Sequence, residues 1–446
     1  MAKQAQSRRQ VFGGFVPLLG LALLLLLALS FAPARAQSNP RYIQFSPGAT
    51  KGALYVPDGG AAPHVAFLVI HRTSNFLSHP AALELPKRGF MVLAMNPRFD
   101  NNEAAVRWEE IALDIRQGVE FLRKQPGITK VLLIGHSGGG PATSYYQAVA
   151  EKGPSYCQGA GKLVECGNDV AGLPPADGIV FLDAHPGNSV NALRSLNPAV
   201  NDEAHPFDVD PALDPFDRKN GFNPEGDSHY SEAFQRRFYQ AQAERMNRLI
   251  AAALEIRQAM KDGKHRPSDD DAFIAYRDRS RLSDISTGAS CCTTRPQKLI
   301  RNDGTVDGSA IVRTVRVSTP VNAKLDASFS NALHLTIRSF LSANAIRAKD
   351  SIEEIDWCSS NNSTPCAVRS ISVPTLVMAM QGHYFIRDGE VIFDNAVSKD
   401  KDFALVEGAI HGLAPCTACA KLTGRDYGNA RKNLFDYVAK WTNARF

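Results

Sequence analysis

The sequence has little of what marks a nucleic-acid binder, a repeat array or a zinc protein. Its 50 lysines and arginines against 45 acids leave a formal charge of only +5. Four of those cations, Lys3, Arg8, Arg9 and Arg35, lie in the first 36 residues, which hold no acid, so the charge beyond them is +1. That is too little for a basic stripe able to neutralise many phosphates, and no nucleic-acid partner is expected. No internal period is present, which excludes solenoids and propellers. C-x-x-C occurs at Cys416 and Cys419 without the second pair that a zinc tetrahedron needs. With 44% hydrophobic and 21% charged residues, the chain is neither disordered nor collagen-like.

What is there begins with a leader. Lys3, Arg8 and Arg9 precede an apolar run from Val11 to Phe31, and Ala34-Arg35-Ala36 follows it. That is the charged, apolar and small-residue succession of a secretory signal peptide over residues 1–36. Ser7 to Phe12 partly resembles the twin-arginine export motif, which leaves the export route open. The apolar run is also just long enough to span a bilayer as an uncleaved anchor. Gly13, Gly14, Pro17 and the cleavage-like site favour removal. The expected product is exported, periplasmic or secreted, with no stable membrane anchor.

All eight cysteines follow the leader, and an even number in an exported chain reads as disulfides. Cys157 with Cys166, and Cys358 with Cys366, would each close a short loop; Cys416 with Cys419 would brace the loop carrying His411. Adjacent Cys291 and Cys292 are expected to link to different partners, because a vicinal bridge is strained.

At 446 residues the chain exceeds one compact core. From 41 to 186 short apolar runs (His64 to His71, Met91 to Asn96, Lys130 to Ile134, Gly178 to Asp183) alternate with helical patterns. Trp108, Ile111, Ile115, Val119 and Leu122 share one helical face. The alternation stops near 190 and resumes at Pro374 to Met380 and Phe403 to Val406. A final helix bearing Leu434, Val438 and Trp441 closes the chain. Such β-α-β units predict the α/β class: a mainly parallel central sheet with helices on both faces. The expected domains are a core of 37–189 and 371–446, and a large, mostly helical inserted cap of 190–370. The cap pattern predicts a long helix from Ser231 to Lys261 and an apolar helix around Ala332 to Ile346. Asp208, Asp210, Asp214 and Asp217 depart from the EF-hand spacing and read as a solvated loop; no metal is expected.

Gly135-His136-Ser137-Gly138-Gly139 follows an apolar strand and precedes a helix, the setting of a nucleophile elbow. Gly135 and Gly139 remove side chains where strand and helix backbones crowd, and the turn presents the Ser137 hydroxyl at the end of the sheet. Here the sequence resembles the α/β-hydrolase superfamily over roughly residues 41–186 and 370–446, with the cap unmatched. The resemblance implies a chain order of Ser, acid, His. His411, in Val406-Glu407-Gly408-Ala409-Ile410-His411-Gly412, falls between the last strand and last helix, where an imidazole would serve as general base for Ser137. The acid would follow the strand that ends at Met380. No carboxylate sits at the usual distance, so Glu390, with its longer side chain, ranks before Asp388, and Asp183 at the end of an earlier strand ranks third. The resemblance assigns one oxyanion N–H to Gly138 and the other to Thr73, in His71-Arg72-Thr73. Arg72 is either an ordinary loop arginine or a contact for an acidic or carbonyl-rich substrate.

These readings imply an exported serine hydrolase that cleaves a small-molecule carboxylic ester through an acyl-enzyme, with no cofactor; they leave the oligomeric state open. Acyl transfer, or amide or thioester cleavage, would use the same machinery, and a non-catalytic extracytoplasmic binding protein is the rival from another class. A leader that ends at Ala36 places Gln37 at the N-terminus of the exported protein, which intact-mass spectrometry reads directly. A product that retains Met1 would instead establish the anchor.

Overall fold

The structure is a computed structural model that describes residues 40–46, 48–57, 59, 61–223, 228–264, 271–277, 291–316 and 332–446; the expected leader lies outside the described residues. Ten strands make one sheet: β1 (Arg41–Gln44), β2 (Lys51–Tyr55), β3 (Val65–Ile70), β4 (Met91–Asn96), β5 (Lys130–His136), β6 (Gly178–Leu182), β8 (Gln297–Ile300), β9 (Val306–Ala310), β11 (Thr375–Met380) and β12 (Lys401–Val406). Their order is β1-β2-β4-β3-β5-β6-β11-β12-β8-β9. The central strands from β4 to β8 pair in parallel. β1, β2 and β9 run antiparallel to their neighbours at the two edges.

The strands read as continuous apolar runs because both sheet faces are covered. In β3, Ala66, Leu68 and Ile70 face one core, while Val65, Phe67 and Val69 face the other. The first core is closed by α2 (Trp108–Arg123) and α3 (Gly139–Lys152). The second is closed by α1 (Pro80–Glu84) and by a C-terminal helix described below. Trp108, Ile111, Ile115, Val119 and Leu122 are all fully buried, as their spacing requires. Glu109 and Glu110 in the first turn of α2 and Arg123 in the last complement the helix dipole.

A third core belongs to the cap. It joins Val190 and Leu193 of α4 (Asn188–Ser195) to Met246, Leu249, Ile250 and Ala253 of α5 (Glu232–Lys261), and to Phe340 and Ile346. The expected long helix is α5, and the Ser231 side chain caps it by accepting the Phe234 N–H at 3.2 Å. Two expectations for this region are corrected. The apolar stretch from Ala332 begins as a strand, β10 (Ala332–Thr336), because it pairs antiparallel with β7 (Ala272–Tyr276); helical turns start only at Ile337. The interval 190–370 is also not cap throughout, since β8 and β9 from within it extend the central sheet beyond β12.

Further helices among the described residues are α6 (Thr364–Val368), α7 (Ile386–Asn395), α8 (Thr417–Thr423) and α9 (Ala430–Asn443), the last burying Leu434, Phe435, Val438 and Trp441 in the second core. Cysteines pair as Cys157–Cys166, Cys358–Cys366 and Cys416–Cys419, as the spacing suggested. Cys291 and Cys292 pair with each other rather than with separate partners, because the other six cysteines are taken within their own loops. No helix among the described residues is long and apolar enough to cross a membrane.

Replacing fully buried Ile115 by alanine should cost about 2–5 kcal/mol of unfolding free energy. The exposed Glu120→Ala on the same helix should stay within about 0.5 kcal/mol. Urea unfolding of the two variants checks the assignment of faces.

Candidate active site

Parallel strands end at a common edge, and five of them each deliver a polar side chain there. His71 and Arg72 follow β3, Ser137 follows β5, Asp183 follows β6, His383 lies three residues past β11, and His411 lies on the loop after β12. Strand order reverses between β3 and β5, with α1 and α2 crossing on opposite faces, so the edge is opened at a topological switch point. His136 pairs with Leu182 in register, which makes Ser137 and Asp183 the first residues beyond adjacent strand ends.

Both of these residues adopt the left-handed region, Ser137 at φ 54° and Asp183 at φ 45°. A side chain there is strained, and its retention marks a site whose geometry the surroundings over-determine. The turn around Ser137 leaves no room for neighbouring side chains. A Cβ on Gly135 would lie 2.7 Å from Gly140 Cα, and one on Gly139 would overlap the Ile70 carbonyl oxygen. α3 starts immediately after Gly138, so its N-terminal N–H groups and dipole are directed toward Ser137.

The Ser137 hydroxyl is 2.9 Å from His411 Nε2, and His411 Nδ1 is 2.6 Å from Asp183 Oδ2. An ionised carboxylate only accepts, so Nδ1 carries the proton and Nε2 is left bare to accept from the serine hydroxyl. The order hydroxyl, imidazole, carboxylate can move a proton off Ser137 while the charge formed on His411 is met at its far side. Asp183 is fully buried, and its Oδ1 accepts the Met380 N–H at 3.2 Å. Burial alone would raise its carboxyl pKa, but His383 and His411 outweigh that and hold it well below the usual carboxylate range. His383 Nδ1 lies 2.7 Å from the same Oδ2, out of line for a hydrogen bond, and its ring stacks on His411 with centroids 4.4 Å apart.

The other carboxylates named from the sequence are elsewhere. Glu390, on α7, accepts from Thr294, Gln297 and Arg387, and Asp388 accepts from Arg194 at 2.9 Å. The segment after β11 turns into α7 and carries both away from His411, so Asp183 is the carboxylate that meets it. Thr73 is also corrected as an oxyanion donor. Its N–H donates to His71 Nδ1 at 3.1 Å, as does that of Ser74 at 2.9 Å, and is thereby consumed. Gly138 N–H has no acceptor among the described residues. In the cap loop, Asp210, Asp214 and Asp217 each accept a backbone N–H two residues ahead.

Buried histidines surround Ser137, His411 and Asp183, a feature with no local signature in the sequence. His79 Nδ1 accepts the Ala81 N–H at 3.1 Å, so its Nε2–H donates to His136 Nδ1 at 2.9 Å. His136 Nε2–H in turn donates to the His411 carbonyl at 2.8 Å, fixing the backbone of the residue whose ring faces Ser137. Burial holds His79 at about 3 and pushes His71, His136 and His185 well below the ordinary imidazole value, so this shell is neutral. Cys416–Cys419 and the bond from Cys416 N–H to the Gly408 carbonyl (2.8 Å) hold the other side of the His411 loop.

Asp183, His383 and His411 also offer one carboxylate oxygen and two ring nitrogens within 4.8 Å of one another, a donor set that suits zinc in kind. The contacts of 2.6 and 2.7 Å to Asp183 are shorter than the roughly 3.3 Å that separates ligands around tetrahedral zinc. A metal would have to push these three groups apart.

No protein-family model matches the chain, and no curated protein matches it in sequence. Among solved structures it is similar to Est1E from Butyrivibrio proteoclasticus, with 9% identity and a TM-score of 0.34 over 90% of this chain and 100% of that one. It is similar to brefeldin A esterase, a bacterial homologue of human hormone sensitive lipase, with 10% identity and a TM-score of 0.40 over 93% and 80% of the two chains. Proline iminopeptidase from Mycobacterium smegmatis gives 11% identity and a TM-score of 0.39 over 91% and 98%. A likeness this distant assigns neither a substrate nor a residue role here.

The neutral histidines make stability depend on pH. Each binds a proton near pH 6.5 when unfolded but only far lower when folded, so acid favours the unfolded chain. Stability should be complete above about pH 6.5 and fall below it, by up to about 1.4 kcal/mol per pH unit for each histidine. Asp183, with its depressed carboxyl, adds a further loss only below about pH 4. Urea midpoints measured from pH 8 to 4 would contradict this if they stayed level between 7 and 5.

Proposed function

The chain has the α/β-hydrolase fold, and from it we propose that the protein is an exported serine hydrolase cleaving a small-molecule carboxylic ester through an acyl-enzyme. The observation that carries the proposal is the unbroken relay from Ser137 Oγ through His411 to Asp183. Ser137 attacks the ester carbonyl as His411 Nε2 takes its proton, and His411 then returns that proton to the departing alcohol. Water activated by the same nitrogen releases the acid. Asp183 keeps His411 in the required tautomer and steadies the imidazolium without itself becoming protonated. Gly138 N–H, at the positive end of α3, meets the developing oxyanion, a contribution of roughly 3–4 kcal/mol per donor. Four disulfides with no free cysteine suit an oxidising compartment, which supports export.

A fluorophosphonate probe should label the wild-type protein and not Ser137→Ala; equal labelling of both would end the proposal. Asp183→Asn should lower kcat by about 10⁴-fold, since it reverses the tautomer preference of His411. Glu390→Gln should change kcat less than about threefold. A chelator should leave the rate unaltered.

A further inference from the structure

Arg72 is a buried cation whose partners do not use all of it. Its side chain is 13% exposed and pairs through Nη1 with Glu103, whose own side chain is 57% exposed and lies toward solvent. Arg72 Nε is buried and has no hydrogen-bond partner. An arginine stays charged in proteins, and a buried N–H without an acceptor is costly enough to call for an explanation. Its position suggests one. A Cβ placed on Gly138 would lie 3.4 Å from Arg72 Nε and 2.7 Å from His71 Nε2, so both side chains roof the residue that follows Ser137.

His71 is a donor there by necessity. Its Nδ1 accepts two backbone N–H groups, which places its one proton on Nε2. Two side-chain donors of different character therefore flank Gly138. Neutral His71 Nε2–H suits an oxygen that becomes charged during reaction. Arg72 carries a full charge throughout and suits an oxygen that is charged before reaction begins. The leaving alcohol collects its proton at His411, whereas Gly138 N–H receives the carbonyl oxygen of the acyl part, so donors beside Gly138 lie on the acyl side of the ester.

We propose that Arg72 makes the site selective for esters whose acyl part carries a carboxylate, with Arg72 Nε–H and the guanidinium charge as its receptor. The proposal rests on the serine hydrolase reading and names its substrate class. Glu103 would remain outside the contact, screening the cation from solvent without occupying Nε.

Two substrates of similar shape test it: the 4-nitrophenyl hemiester of glutaric acid and 4-nitrophenyl 5-methylhexanoate, with spontaneous hydrolysis subtracted. Wild-type protein should prefer the anionic ester in kcat/KM. Arg72→Met should lower kcat/KM for that ester by about 10- to 100-fold, chiefly through KM, and for the neutral ester by less than about threefold. Equal losses on both esters, or a wild-type protein with no preference for the anion, would overturn the proposal. Should Arg72→Met fail to fold, wild-type protein still decides: glutarate should slow fluorophosphonate labelling at a concentration about tenfold below that needed for neutral hexanamide. Similar concentrations of the two compounds would refute it. Labelling itself reports the serine hydrolase reading, so failure of that reading is seen separately as an unlabelled wild-type protein.

Discussion

A carboxylate sealed from water with two imidazoles against one of its oxygens is the constraint from which the edge of the sheet takes its form. Asp183 cannot be solvated where it sits, so its charge must be answered by protein groups. His411 answers it with a hydrogen bond, and His383 lies close enough to add its field. This demand brings the loop after β12 and the turn after β11 to the end of β6, and the bond from Met380 N–H closes the arrangement from beneath. The same contact leaves His411 Nε2 bare beside Ser137. The electrostatics of a buried acid and the orientation of a base are thus one interaction seen from two ends.

Much of this was legible in the sequence, for local reasons. Ser137 stands in a strand, turn and helix pattern that few other residues could satisfy, and His411 occupies the gap between the last strand and last helix. The two sheet faces followed from apolar runs without alternation, and the helix of Trp108 to Leu122 from its spacing. What escaped depended on register and on distant partners. Asp183 meets His411 because β6 lies beside β5 and ends level with it, and the linear order contains no statement of that alignment. Glu390 looked suitable by reach, yet α7 turns it toward Thr294 and Gln297. Thr73 has the right place in the loop, but a ring two residues earlier takes its N–H. β9 reads Val-Asp-Gly-Ser-Ala, a polar edge strand without the apolar run that reveals the central ones.

The histidines join the geometry of the sheet edge to the stability of the fold. A ring such as His136 is invisible as anything but the variable position of the serine motif. Its worth arises only when His79 fixes one nitrogen and the His411 carbonyl receives the other. Keeping these rings uncharged leaves few charges beside Ser137, namely buried Asp183 and buried Arg72. Each neutral donor is directional without adding a field that would compete with theirs.

The two strands that leave the cap and join the sheet change how the cap is joined to the core. The chain passes from β7 in the cap to β8 and β9 beside β12, and only then returns to β10, the partner of β7. The cap is therefore tethered to the core by four passages of chain instead of the two of a simple insertion, and one pair is anchored in the hydrogen-bond ladder of the sheet.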